Sequence, residues 1–269
     1  ITGNIRIDQT AFTAQVSGAA HRLHATYNGV SSTTLVETSG HPDDAWGFAA
    51  LAGIQLKNLP TGPGDKLSLD ATYVDGATKY LISGVTGNSF DVYSGGGGSG
   101  AYNTLAVLQM FEGIYSTTNG NKIEKTSGWG FRGAFVHNWS ANWETSIFGS
   151  YSRINYNANA TSAFCARWAQ GVTKMGVASV AGGANGGALF TGTCNPDFAI
   201  AQVATRTAWT PVKALTLSAE VMYTMIDQNF TGTLNNVPAA ALWPTKPGGT
   251  YMFKDQGVIS GNIGVRRTF

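Results

Sequence analysis

The feature that most constrains this chain is a period-two alternation of apolar and polar residues that returns in segment after segment, with helical periodicity nearly absent. Between Ala45 and Lys57, Trp46, Phe48, Ala50, Ala52, Ile54 and Leu56 fall on one side, and Gly47, Gly53, Gln55 and Lys57 on the other. Successive side chains of a strand point to opposite faces, so one face of this strand is wholly apolar. Leu215, Leu217, Ala219, Val221 and Tyr223 oppose Thr216, Ser218, Glu220 and Thr224 in the same way. Ile259, Gly261, Ile263, Val265 and Phe269 oppose Ser260, Asn262, Gly264, Arg266 and Thr268. Leu67, Leu69, Ala71 and Tyr73, and Phe12, Ala14, Val16, Gly18 and Ala20, form two more apolar faces.

Composition says where those faces point. Charged residues are 12% of the chain, about half the usual share, while 35 of its 269 residues are glycine and 11% are aromatic. A charge-poor chain of one-sided strands fits a transmembrane antiparallel β-barrel that turns its apolar side to lipid. Helical spans are excluded, because the longest apolar run, Trp46 to Ile54, has nine residues where a spanning helix needs about 20. Seventeen basic and fifteen acidic residues leave a formal +2 without blocks of either sign. That excludes a nucleic-acid partner.

The alternation predicts nine strands, over 1–8, 12–27, 44–57, 66–82, 126–139, 143–157, 197–210, 214–229 and 252–269, within a single barrel region covering 1–269. Leu105 to Tyr115 is a strand-like stretch inside a long loop. Connections alternate between short (9–11, 58–65, 140–142, 211–213) and long (28–43, 83–125, 158–196, 230–251). Barrels have short periplasmic turns and long outer loops, which puts the C-terminus on the periplasmic side. Trp129 and Trp139 share a face ten residues apart, roughly 25 Å along the membrane normal and close to the height of the apolar band. With Trp46, Trp143, Trp209 and Phe269 they are the expected aromatic girdle. The chain opens at Ile1 without Met or a signal segment, which leads to the expectation of a processed start. Nine is odd, whereas single-chain bacterial barrels have an even count, so further strands are expected before Ile1.

These strands, with HPDDAWGFA at 41–49, WETSIFGSYSRINY at 143–156, TCNPDF at 193–198 and the closing GVRRTF, resemble the C-terminal part of an alphaproteobacterial outer-membrane porin of the Bradyrhizobium and Rhodopseudomonas type. Brucella porins are more distant relatives. Phe269 resembles the terminal assembly signal of outer-membrane proteins, although Arg267 stands where an aromatic is often found. The resemblance implies a sixteen-stranded barrel, of which this chain would hold strands eight to sixteen, in a complete polypeptide of about 480 residues. It also implies a homotrimer, and places the inward-folded constriction loop in the half that precedes Ile1. The expected surroundings are the lipid bilayer with lipopolysaccharide, and the expected cargo is small hydrophilic solutes and ions.

Strand parity assigns Arg6, Asp8, Lys57, Asp70, Arg132, Gln202, Arg206, Glu220, Asn262 and Arg266 to the pore lining, since charges facing lipid cost roughly 2–4 kcal/mol at midplane. Arg132 and Arg206 would weakly favour anions, or would merely solvate the wall. Cys165 and Cys194 are the only cysteines. In an oxidising exterior they are expected to form a disulfide worth about 3–4 kcal/mol on the chain-entropy model. Among His21, His24, His41 and His137, only His41 has acids beside it in sequence, Asp43 and Asp44. That cluster reads as a polar turn more readily than as a catalytic or cation site. Gly95 to Gly98, with Ser99 and Gly100, lacks the strand-to-helix context and the lysine of a phosphate loop. No catalytic residue, metal or cofactor follows from this reading. The function expected is a general diffusion porin. The alternatives are an outer-membrane barrel enzyme of protease or lipase type and a soluble β-sandwich that binds carbohydrate.

Overall fold

A computed structural model describes residues 1–25, 42–82, 92–94, 104–115, 122–169, 189–237 and 249–268. Four strands come first, β1 (Thr2–Asp8), β2 (Phe12–Leu23), β3 (Ala45–Lys57) and β4 (Lys66–Asp75). A long connection then carries one 3-10 turn, Thr78–Tyr80, and four short strands, β5 (Val92–Ser94), β6 (Thr104–Val107), β7 (Gly113–Tyr115) and β8 (Ile123–Lys125). The long strands β9 (Ser127–Ser140) and β10 (Trp143–Asn155) lead to a helix, α1 (Ala158–Ala169), and to β11 (Leu189–Thr191). Strands β12 (Phe198–Val212), β13 (Leu215–Gln228), β14 (Thr233–Val237), β15 (Gly249–Phe253) and β16 (Gln256–Arg267) complete the chain.

Nine of these strands form one antiparallel sheet in the order β1-β2-β3-β4-β9-β10-β12-β13-β16. It is open, since β1 and β16 stand at its two ends and do not pair with each other. Each strand hydrogen-bonds to its neighbour in the sheet through a directly opposed register, and opposed residues share a face. Ile5 faces Val16, and the row continues through Ala52, Ala71, Phe131, Tyr151, Ala201 and Met225. The apolar faces expected one strand at a time therefore fuse into a single surface. It is uncovered: Ile5 is 75% exposed, Phe131 53% and Ile263 86%. A soluble monomer rarely shows more than a few hundred Å² of such surface. A sandwich would bury this face against a second sheet, and none of the described residues covers it. Two-residue turns at Ala141-Asn142 and Lys213-Ala214 help hold the register, and a slip of one residue would turn every apolar side chain to the wrong face.

The long connections build a second structure of a different kind. A five-stranded sheet, β11-β14-β15-β6-β5, is antiparallel except for its β15–β6 pair. Leu105, Val107, Phe164, Phe230, Leu234, Tyr251 and Phe253 are buried together beside it. The opposite side of the 104–110 segment carries Ala106, Leu108 and Met110, which pack on Ile154, Phe198 and Ile226 of the large sheet. Gln228 ties the two units together. Its Nε2 donates to the carbonyls of Leu105 at 2.7 Å and Lys254 at 2.6 Å, and its Oε1 accepts from the Val107 N–H at 3.0 Å.

Several sequence expectations change. The strand foreseen over 252–269 divides at Lys254-Asp255 into β15, in the five-stranded sheet, and β16, in the large one. The strand foreseen over 66–82 ends at Asp75, because Gly76 takes φ +67° and turns the chain away from the sheet. The strand-like stretch from Leu105 to Tyr115 divides into β6 and β7. The segment foreseen as a loop over 158–196 begins with α1. Asn157 caps this helix, its Oδ1 accepting from the Ala160 N–H at 2.8 Å. Ala160 and Phe164, one turn apart, are buried. The expected disulfide joins Cys165 of α1 to Cys194, their Cα atoms 5.8 Å apart.

Candidate functional site

The reverse of the apolar surface is a polar face, and the register organises it into rows. One row crosses all nine strands: Arg6, Gln15, Gly53, Asp70, Arg132, Ser150, Gln202, Thr224 and Val258 each oppose the next. At about 4.8 Å per strand it spans about 40 Å. Two rows nearer the short turns, Lys57, Lys66, Val136, Ser146, Arg206, Glu220 and Asn262 align. Asp8 lies in the row between these two, opposite Thr13, and Arg266 lies further toward the turns, opposite Thr216. All ten residues assigned by parity thus share one face. Lys66, Gln15, Ser150 and Thr224 belong with them. The period-two rule that found the ten would have found these four as well.

Charge on this face is arranged locally. Arg6 donates through Nε to Asp8 at 2.7 Å, and Lys57 approaches the same carboxylate at 3.8 Å. Arg132 donates through Nε to Asp70 at 2.9 Å. Arg206 stands directly opposite Glu220. The Arg132–Asp70 pair is well exposed at 61% and 28%, which limits such a contact to about 0–1 kcal/mol. Amides and hydroxyls fill the intervals. Ser150 donates to Gln202 Oε1 at 3.3 Å, Gln202 Nε2 donates to the Thr224 hydroxyl at 3.1 Å, and Gln55 Nε2 donates to Ser68 at 3.0 Å. This surface can hydrate ions and hydrogen-bond to polar solutes without presenting an unbalanced charge at Arg132.

The aromatic residues mark both ends of the apolar face. Trp46 and Trp129 lie at the long-connection end of β3 and β9, and Trp139, Trp143 and Trp209 lie beside the short turns. All five are exposed. Trp143 and Trp209 pair across β10 and β12 with ring centroids 5.9 Å apart. The Trp139 indole N–H donates to Thr145 at 3.0 Å. Such rings suit a boundary that is apolar on one side and wet on the other. Phe269 lies outside the described residues.

The three described histidines serve the scaffold. The Nε2–H of His21 donates to the Gly76 carbonyl at 2.7 Å. His24 contacts Asp44 at 2.7 Å, and Arg22 pairs with the same carboxylate. These contacts, led by the His24 hydrogen bond, lower the Asp44 pKa. Asp44 is therefore committed to His24 and Arg22, while His41 lies outside the described residues. In the 58–65 turn, Asp65 accepts from Thr61 and His137 at 2.7 Å each and from the Asn138 N–H at 2.9 Å. These bonds, the Thr61 hydroxyl foremost, hold its carboxyl at about 2. Among the described residues no group of three or more His, Cys, Asp or Glu is placed to hold a metal ion. Gly95 to Gly100 lie outside the described residues.

Above the first polar row, the chain leaving β4 turns back over the sheet. Leu81 and Ile82 close a cavity of about 460 Å³ whose other lining includes Arg132, Ser150, Gln202 and Thr224. The segment thus lies over the polar face of the sheet.

A protein family described as Porin subfamily matches residues 1–262. No curated protein matches the chain. Among solved structures, the outer membrane channel DcaP of Acinetobacter baumannii is similar at 12% identity with a TM-score of 0.45, over 98% of this chain and 51% of that one. The chain spans about half the length of that channel.

Proposed function

The chain belongs to the porin subfamily, and from that premise we propose that it walls a water-filled channel of the bacterial outer membrane. Small hydrophilic solutes and ions would cross it by passive diffusion, with no covalent chemistry. The observation that carries this reading is the pair of continuous faces on one sheet, apolar and exposed on one side, polar in rows across all nine strands on the other. Lipid is the medium that an uncovered apolar face of this size requires, and water is the medium the polar rows require. The enzyme alternative has no observation in its favour.

In this reading the long connections face outward and the short turns face the periplasm, as does the C-terminus. The unpaired edges of β1 and β16 would be joined by further strands, to sixteen in all. The wall would contact phospholipid and lipopolysaccharide, and three copies would associate through their outer faces. Because Arg6, Lys57 and Arg132 each have an acid beside them, the channel would select weakly by charge. Reconstitution of the complete protein in planar bilayers tests this. Stepwise conductance in KCl, with a reversal potential near zero in a salt gradient, is the expected result, and membranes that stay silent would overturn it.

A further inference from the structure

The polar face of the wall carries an apolar island. The row that begins with Asp8, Thr13, Gln55 and Ser68 continues through Ala134, Phe148, Ala204 and Met222. Ala204 is buried, and Phe148 and Met222, directly opposite it on either side, are partly exposed. Phe148 and Met222 border a cavity of about 340 Å³, whose other lining includes Asp70, Arg132, Ser150 and Gln202. That volume falls within the range of small-molecule sites, which combine apolar walls with a few convergent polar groups. The polar half is dipolar. Arg132 uses its Nε on Asp70 Oδ1 at 2.9 Å, and its Nη groups and Asp70 Oδ2 make no other hydrogen bond among the described residues. Gln202 joins the two halves, its Nε2 lying 3.4 Å from the Met222 sulfur.

We propose that this cavity is a solute-binding subsite of the channel wall and that it takes a zwitterionic α-amino acid with an apolar side chain. This rests on the channel reading and names a solute class for it. The carboxylate meets the Nη groups of Arg132, the ammonium meets Asp70, and the side chain lies against Phe148 and Met222. A solute with a negative charge alone is attracted by Arg132 and repelled by the carboxylate beside it, and one with a positive charge alone meets the reverse. A zwitterion answers both charges at once. Its apolar side chain then leaves water for the apolar half, a gain that glycine lacks.

The test uses the complete protein in planar bilayers, reading interruptions of the KCl current by added L-phenylalanine. Phenethylamine lacks the carboxylate, 3-phenylpropanoate lacks the ammonium, and glycine lacks the ring. Each should need about tenfold more solute for the same blocked fraction. This comparison on the unaltered protein depends on no variant folding. Phe148→Ala should weaken the phenylalanine block about tenfold in channels that still conduct. Asp70→Asn should move the preference to 3-phenylpropanoate and Arg132→Gln to phenethylamine, an exchange that a merely structural role does not produce. If the unaltered protein conducts but phenylalanine does not block it, or blocks no better than 3-phenylpropanoate and phenethylamine, the subsite is overturned while the channel reading stands. Conducting charge variants that keep the original order of solutes would also overturn it. If the unaltered protein does not conduct, the channel reading itself fails, and the subsite with it.

Discussion

The nine-stranded wall and the structure built by the long connections use the hydrophobic effect in opposite directions. On the wall, Ile54, Leu69, Val203 and Ile259 point away from the protein and are exposed. In the connections, Leu105, Phe230, Leu234 and Tyr251 point together and are buried. The wall is held by its hydrogen-bonded ladders and needs an apolar solvent. The connections carry a core of the kind found in water-soluble domains, stapled by Cys165–Cys194. One chain thus folds for two solvents, and the two regions should fail under different insults.

The largest expected separation comes from the core of the connections. Phe230→Ala should cost that unit about 3–5 kcal/mol and expose the connections to protease, while the folded wall still migrates as such on unheated gels. Reducing Cys165–Cys194, or replacing both cysteines by Ser, should loosen the same unit by about 3–4 kcal/mol and speed cleavage there with the wall again intact. Val203→Arg should do the reverse. A charge on the lipid side costs about 2–4 kcal/mol at midplane, so denaturant unfolding in vesicles should shift to lower concentration, whereas Val203→Leu should leave it unchanged. Disruption of the wall by Phe230→Ala, or indifference to Val203→Arg, would break the comparison.

The smallest effect is expected at the 58–65 turn. Asp65 is held at about 2 in the folded protein, below the ordinary value near 3.9. Its ionised form therefore stabilises the turn above about pH 4, and that contribution fades as the pH falls through about 2. Asp65→Asn should flatten the acid limb of a turn-local probe between those values. Unchanged acid behaviour in that variant would remove Asp65 from the account.

The wall was legible in the sequence because its physics is local. A side chain two residues away lies on the same face, so Trp46 and Ile54, or Arg132 and Ala134, could be assigned without knowing any partner strand. What lies next to what across strands was not legible. The pairing of Arg132 with Asp70 depends on a register that joins residues 62 apart. The connections were hidden for a related reason. β6 alternates between two cores supplied by residues from 154 to 253, and α1 buries too short an apolar stripe, Ala160, Ala163 and Phe164, to announce itself by periodicity. The turn at Gly76 was missed because Leu81 and Ile82 continue the apolar composition of a strand. The glycines that receive Leu81 are Gly128 and Gly130. In sequence they cannot be told from Gly3, where an added Cβ would meet nothing within 4 Å.

The central claim is that adjacent residues of one wall strand meet different solvents. Single cysteines at Gln202 and Val203 of the complete protein, challenged in proteoliposomes with a charged, membrane-impermeant maleimide, test it directly. The account predicts rapid labelling of Gln202→Cys and protection of Val203→Cys; equal labelling of both, or labelling of Val203→Cys alone, would contradict it.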